Sequence, residues 1–195
     1  MVINMTIRPA AAGDFESIMN IYSYARERMR LTGNPDQWGT DRPLPETVWN
    51  DIRQGQAYVM TTQNRICGVF AFIIGTEPTY QLIENGAWLN DAPYGTIHRI
   101  AGNGQAGGIL KGALSFCGQQ INNIRIDTHD DNHIMQHLLL KYGFRKCGYI
   151  YVDDGSRRIA YQRISEPQYT TSVITGTNFS SFARPERNSS DVSQM

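Results

Sequence analysis

Residues 96–129 read as a strand, a glycine loop, a helix and a second strand, and this one crossover constrains the chain more than any other feature. TIHRIA is strand-like and GNGQAG is a turn. Ile109, Leu110, Ala113, Leu114 and Cys117 then recur at helical spacing before the strand NIRIDTH. Strands joined through a helix lie parallel in a sheet. The neighbouring segments supply hairpins instead: AYVMTT and RICGVFAFII meet at Gln63-Asn64, and FRKCGYIYV and RRIAYQRI flank Asp153-Asp-Gly-Ser. The expected topology is therefore mixed, with one crossover between antiparallel elements.

The loop Gly102-Asn-Gly-Gln-Ala-Gly107 spells G-x-G-x-x-G, and Asp127 follows about 20 residues later, where a dinucleotide-binding unit places its ribose carboxylate. The surroundings argue against that use. A doubly wound sheet needs several crossovers in series, and its first strand, covered on both faces, is normally continuous apolar sequence, whereas TIHRIA carries His98 and Arg99. What remains is physical: glycines let backbone N–H groups converge, and a helix N-terminus adds partial positive charge, so an anion such as a pyrophosphate is favoured.

Other segments fill in the outline. A short strand is expected over residues 3–8. Asp14 is placed to cap a helix with Phe15, Ile18, Met19, Tyr22, Ala25 and Met29 on one side, stopped by Gly33. Arg26, Arg28 and Arg30 in its last turns read as a solvated face. After the polar loop NPDQW, Pro45 opens a helix that buries Val48, Trp49 and Ile52 and ends at Gly55. The turn-rich segment 75–95 allows one short strand around Tyr80 to Ile83. Asp130 is placed to cap a helix bearing Ile134, Met135, Leu138 and Leu139, closed by Gly143. After Arg163 the composition turns to Ser, Thr, Asn, Gln and Pro, so residues 165–195 are expected to be a disordered tail.

Lysine plus arginine and aspartate plus glutamate number 18 each among 195 residues, which gives no field favouring nucleic acid or an anionic membrane surface. The longest apolar run, about GVFAFII, is far short of the ~20 residues of a membrane span, and the start does not read as a secretory signal. A cytoplasmic protein is expected, with neither nucleic-acid nor membrane partner. Cys67, Cys117 and Cys147 form no C-x-x-C pair and read as reduced, buried thiols; no metal is expected.

Gln105-Ala-Gly-Gly108-Ile109-Leu110 between strand and helix, with Asn132 opening the next helix and Gly143-Phe144 closing it, resembles the GNAT superfamily of acetyl-CoA-dependent N-acetyltransferases. NPDQW, AWLND, TIHRIA and IRIDTHDDN resemble a bacterial subgroup of it. The resemblance spans about residues 3 to 164, and a GNAT domain is expected over 1–164. It implies an α/β (α+β) fold with a mixed, mostly antiparallel twisted sheet of about six to seven strands flanked by about four helices. It departs from the family pattern at two places: Leu110 stands where the pyrophosphate loop ends in a small residue, and Leu139 stands where many members carry the tyrosine that protonates the leaving thiolate.

By resemblance, acetyl-CoA is the cosubstrate, bound by Gln105, Ala106, Gly107, Gly108, Ile109, Leu110 and Asn132. Ile100 and Ala101 would offer backbone groups where TIHRIA and NIRIDTH splay apart. Two side chains suit the base that keeps an acceptor amine neutral. His98 belongs to the residue type that titrates near neutrality, and Asp127 occupies a position where some relatives carry a glutamate. Alternation puts Tyr94, Thr96 and His98 on one face, and Arg125, Asp127 and His129 together; an ion pair of Asp127 with Arg125 or Arg99 is its structural alternative. Tyr142, three residues beyond Leu139 and near the same helix face, or else solvent, replaces the missing acid. Trp38, Tyr94 and His129 are candidate acceptor contacts. The implied reaction is acetyl transfer to a primary amine of a small molecule or an exposed peptide. The other reading, suggested by Leu110 and Leu139, is a fold that binds CoA or a partner without turnover. A homodimer is left open.

Overall fold

The computed structural model describes residues 5–166, so the tail expected at 165–195 lies, apart from its first two residues, outside the described residues, as does the start of the strand expected at 3–8. Among the described residues, seven strands form one sheet in the order β1-β2-β3-β4-β5-β7-β6. These are β1 (Thr6–Pro9), β2 (Ala57–Thr62), β3 (Arg65–Ile74), β4 (Gly95–Gly102), β5 (Asn123–Thr128), β6 (Arg145–Tyr151) and β7 (Arg157–Ile164). Among these pairings only β4 with β5 is parallel, and the crossover between them is α3 (Ile109–Gly118). Gln63 and Asn64 both have positive φ, the geometry that a two-residue turn between twisted strands requires.

Alternation along β2 and β3 divides the core. Val59 and Val69 face α1 (Phe15–Leu31) and α2 (Pro45–Arg53), meeting Ile18, Ile21, Tyr22 and Val48. Met60, Phe70 and Phe72 face the other way, toward Leu110, Ala113, Leu114 and Cys117 of α3 and Leu139 of α4 (His133–Lys141). The three cysteines are free and buried. Among the described residues, no helix is long and apolar enough to cross a membrane.

Four local expectations need correction. Asp14 stands just before α1 but does not cap it, because its carboxylate accepts from Arg8 and from the Ala11 amide. Asn132, not Asp130, caps α4, accepting from the Met135 amide at 3.0 Å; Asp130 is drawn off by Arg157. Residues 80–83 are no strand: Pro78–Tyr80 form a turn of 3-10 helix, and Glu84 makes a lone bridge to Tyr149. In α2 the polar Asp51 is buried with Val48, while Trp49 and Ile52 are half-buried. The site below explains that aspartate.

Candidate active site

The parallel pair is brief. Gly95 and Thr96 pair with Ile124 and Arg125, and the ladder then stops although β4 continues to Gly102 and β5 to Thr128. The two strands diverge and leave facing backbone edges. A β-bulge adds to the divergence: His98 pairs with Ala71 and Ala101 with Val69, so Arg99 and Ile100 stand together opposite Phe70. Arg99 is held at φ 52°, in the left-handed region that a side chain rarely adopts. Its carbonyl accepts from the Tyr22 hydroxyl at 3.0 Å, and its guanidinium makes two bonds to Asp51, at 2.8 and 2.9 Å. Burial raises the Asp51 carboxyl, an effect that Arg99 only partly offsets. The pair therefore anchors the bulge from the α2 side.

Two cavities open at this divergence and share Ile100 and Met135 as a common wall. The first, about 230 Å³, is lined by Trp38, His98, Arg99, Asp127, Asn132 and Arg158, with Arg42, Asp153 and Asp154 also on its wall. The second, about 290 Å³, is lined by Ala101, Gly102, Gly108, Ile109, Leu110, Lys111, Leu138 and Tyr142. The first is polar in character and the second is built from backbone and aliphatic groups around the start of α3.

The glycine loop explains itself at this end. A Cβ on Gly102 would meet Ile109 Cγ1 at 2.9 Å, and Gly104 has φ +76° with Tyr24 close by, so both are demanded by the fold. Gly107 and Gly108 differ: a Cβ on either would enter open space, and Gly108 has φ +80° as the residue preceding α3. The first bond within the helix runs from the Gly112 amide to the Gly108 carbonyl, so the amides of Ile109, Leu110 and Lys111 have no partner inside it. Those of Ala106, Gly107 and Gly108 likewise have no acceptor among the described residues. This is a cradle for an anion at a helix N-terminus. Leu110 is 5% exposed and belongs to the core on the α3 side, and it also lines the second cavity. Gln105 does not line the second cavity and instead lines a separate surface cleft with Arg65 and Asn103.

His98 and Asp127 both line the first cavity, and each is held from behind by the same 3-10 turn. His98 Nε2 lies 2.9 Å from Glu77 Oε2, and the Tyr80 hydroxyl donates to Asp127 Oδ1 at 2.7 Å. Asp127 Oδ2 faces Arg158 Nε at 3.9 Å, so its ionic partner is Arg158 rather than Arg125 or Arg99. Burial raises Glu77, but the hydrogen bond and charge of His98 and two hydrogen bonds from Thr79 outweigh it and bring the carboxyl down to about 2. Burial first, then the charge and hydrogen bond of Asp127, push the Tyr80 hydroxyl well above its usual value, so it remains a donor.

Tyr94 and His129 lie away from both cavities. The Tyr94 ring stacks under Arg125, with the guanidinium carbon 3.8 Å from its centroid, and its hydroxyl accepts from the Glu77 amide. Arg125 is buried between that ring and Trp88, and burial lowers its pKa. His129 Nδ1 accepts from the Asp131 amide in the turn before α4. Tyr142 lines the second cavity, whereas Leu139 is wholly buried and lines neither. Trp38 lines the first, edge-on to Tyr22. Asn132 does too, while its Nδ2 donates to Gln37 Oε1 at 2.8 Å.

Three residues that support the site, Glu77, Tyr80 and Arg158, carry no motif, and a fourth, Gln37, lies in NPDQW beside the candidate Trp38. Gln37 joins the NPDQW loop to α4 through Asn132, and its carbonyl accepts from Arg158. Period-2 reading of β7 puts Arg158 on one face with Ala160 and Gln162, and all three are buried. Glu77 and Tyr80 sit in a turn-rich segment with no periodicity and left no comparable signal.

An open mixed sheet whose one parallel pair splays around two joined cavities, one ending on a glycine-rich helix N-terminus, defines a cleft of the acetyltransferase type. No protein-family model and no curated protein matches the chain. Among solved structures it is similar to a GNAT-family acetyltransferase from Streptococcus agalactiae, with 34% identity and a TM-score of 0.75 over 84% of this chain and 96% of that one. A GNAT-family acetyltransferase from Listeria monocytogenes, at 20% identity and TM-score 0.62 over 83% and 95%, shares the fold. So does yncA of Salmonella typhimurium, solved with its cofactor acetyl-CoA, at 16% identity and TM-score 0.54 over 84% and 96%. The chain belongs to the GNAT family of acetyltransferases.

Proposed function

We propose that the protein is an acetyl-CoA-dependent N-acetyltransferase acting on a primary amine of a small molecule or an exposed peptide. The observation that carries this reading is the junction of the two cavities across Ile100 and Met135, where β4 and β5 part. The cradle at the start of α3 fits a pyrophosphate: amides from Ala106 to Lys111 have no acceptor among the described residues, Gly107 and Gly108 leave space above them, and Lys111 adds a cation at the cavity wall. Bound there, acetyl-CoA supplies an acyl group activated as a thioester.

The chain's own part is largely positioning. The free edge of β4 at Ile100 and Ala101 orients the cofactor arm and offers amides to charge developing on an acyl oxygen. His98 and Asp127 face the acceptor side, where one of them accepts a proton from the amine. Tyr142 is the hydroxyl on the cofactor side, suited to return a proton to the leaving sulfur. Leu139 is wholly buried and supplies no proton, so turnover relies on Tyr142 or solvent, and Leu110, largely buried at the start of α3, forms part of the second cavity's wall.

A thiol-release assay with acetyl-CoA across a panel of small amines and peptide N-termini tests the reading, alongside calorimetry with acetyl-CoA and NAD. Release dependent on one amine class is expected. Binding of acetyl-CoA with no release from any amine favours the binding-only alternative, and preferential binding of NAD overturns both.

A further inference from the structure

Glu77 lies outside both cavities, behind His98, at the start of the turn whose last residue, Tyr80, holds Asp127. Its side chain and that of His98 are each only 15% exposed. The turn is itself pinned to the sheet. The Glu77 amide donates to the Tyr94 hydroxyl, Tyr94 stacks on the buried Arg125, and Trp88 on the other side of that guanidinium donates to the Tyr80 carbonyl at 2.9 Å.

We propose that Glu77 is the positioning residue for the base: it fixes His98 as the Nε2–H tautomer, so that Nδ1 takes the proton of the acceptor amine, while Tyr80 and Arg158 keep Asp127 out of that role. This rests on the acetyl-transfer reading. The argument is one of donors and acceptors. An ionised carboxylate only accepts, so the nitrogen 2.9 Å from it must carry hydrogen, and the neutral ring then has its lone pair on Nδ1. Nδ1 has no partner among the described residues, whereas Asp127 has one oxygen committed to Tyr80 and the other facing Arg158. In the step itself, an N–H bond of the acceptor ammonium breaks and its proton bonds to Nδ1. The amine keeps the electron pair, and the imidazolium rests against the Glu77 carboxylate until water removes the proton. The arrangement has the logic of a carboxylate–histidine pair in a hydrolase triad, without the nucleophile.

The test is nitrogen-15 NMR of the four histidines in the unliganded protein, with His98→Asn used to assign His98, together with steady-state kinetics of Glu77→Gln, Glu77→Asp and His98→Asn. Expected are an Nε2–H tautomer for His98 that is lost in Glu77→Gln, and a kcat lowered about 10- to 10³-fold in that variant at nearly constant acetyl-CoA KM. Glu77→Asp recovers part of the rate, and the double variant is no worse than His98→Asn alone. An Nδ1–H tautomer in the wild type overturns the proposal, as does a Glu77→Gln enzyme that keeps full kcat where His98→Asn loses it. If Glu77→Gln does not fold, the wild-type tautomer and Glu77→Asp still decide. If no amine is turned over, the acetyl-transfer reading falls and the tautomer alone judges the pair.

Discussion

Replacing Gly107 and Gly108 separately by alanine distinguishes backbone strain from ligand exclusion at the anion cradle. Gly108 has φ +80°, so Gly108→Ala costs about 1 kcal/mol of stability in the unliganded protein, with no steric term because its Cβ meets open space. In a domain of this size that lowers Tm by about 2–4 °C. Gly107 lies outside the left-handed region and its Cβ also meets open space. Gly107→Ala therefore leaves stability unchanged or raises it by up to about 1 kcal/mol through the unfolded chain. Both methyl groups stand over amides assigned to the pyrophosphate, and losing one hydrogen bond to a charged group costs about 1.5–3 kcal/mol, or about 10- to 100-fold in affinity. Thermal unfolding without ligand and calorimetry with acetyl-CoA measure the two effects independently. Wild-type affinity in both variants would refute the cradle. A Gly107→Ala protein melting several degrees lower would refute the backbone reading on which the comparison depends.

Tyr142→Phe should lower kcat by about 10²-fold or more at unchanged acetyl-CoA KM, and an unchanged kcat would assign protonation of the sulfur to solvent. Leu139→Tyr, which restores the family's usual residue, should not add rate: Leu139 is wholly buried, so the larger ring overpacks the core by about 1–3 kcal/mol and lowers Tm. Glu77 is depressed to about 2 from an ordinary 4.5, so its stabilisation is complete above pH 4.5 and lost as pH falls toward 2. Urea unfolding of wild type and Glu77→Gln should differ most just above pH 4.5 and converge near pH 2; a difference that stays constant over that window would contradict the assignment. Asp51→Asn should destabilise by about 1–3 kcal/mol, less than a fully buried pair because Arg99 is 21% exposed, and Asp51→Asn with Arg99→Met should recover part of the loss.

Much of the frame was legible in the chain because it rests on local periodicity. The two hairpins, the single crossover and the glycine loop are each written within about ten to thirty neighbouring residues, and alternation or helical spacing identifies them without distant partners. His98 is a candidate by residue type and strand position, whereas Asp127 and Tyr142 are candidates through the family resemblance of the elements that carry them. Tertiary structure decided what each one meets. Tyr94 shares a face with His98 in an ideal strand, yet the draw of Arg125 takes its ring to a guanidinium stack away from the cavities. Asp51 reads as a surface helix residue until Arg99, 48 positions later, is turned to it by a bulge. Glu77 and Tyr80 sit in a segment with no period of its own. They come to the site only because Arg125, between Trp88 and Tyr94, ties that segment to the centre of the sheet. Local pattern specifies which elements form, since burial of one face is a property of a short window. The partners of a buried polar group depend on which elements lie side by side, and that is a property of the assembled sheet.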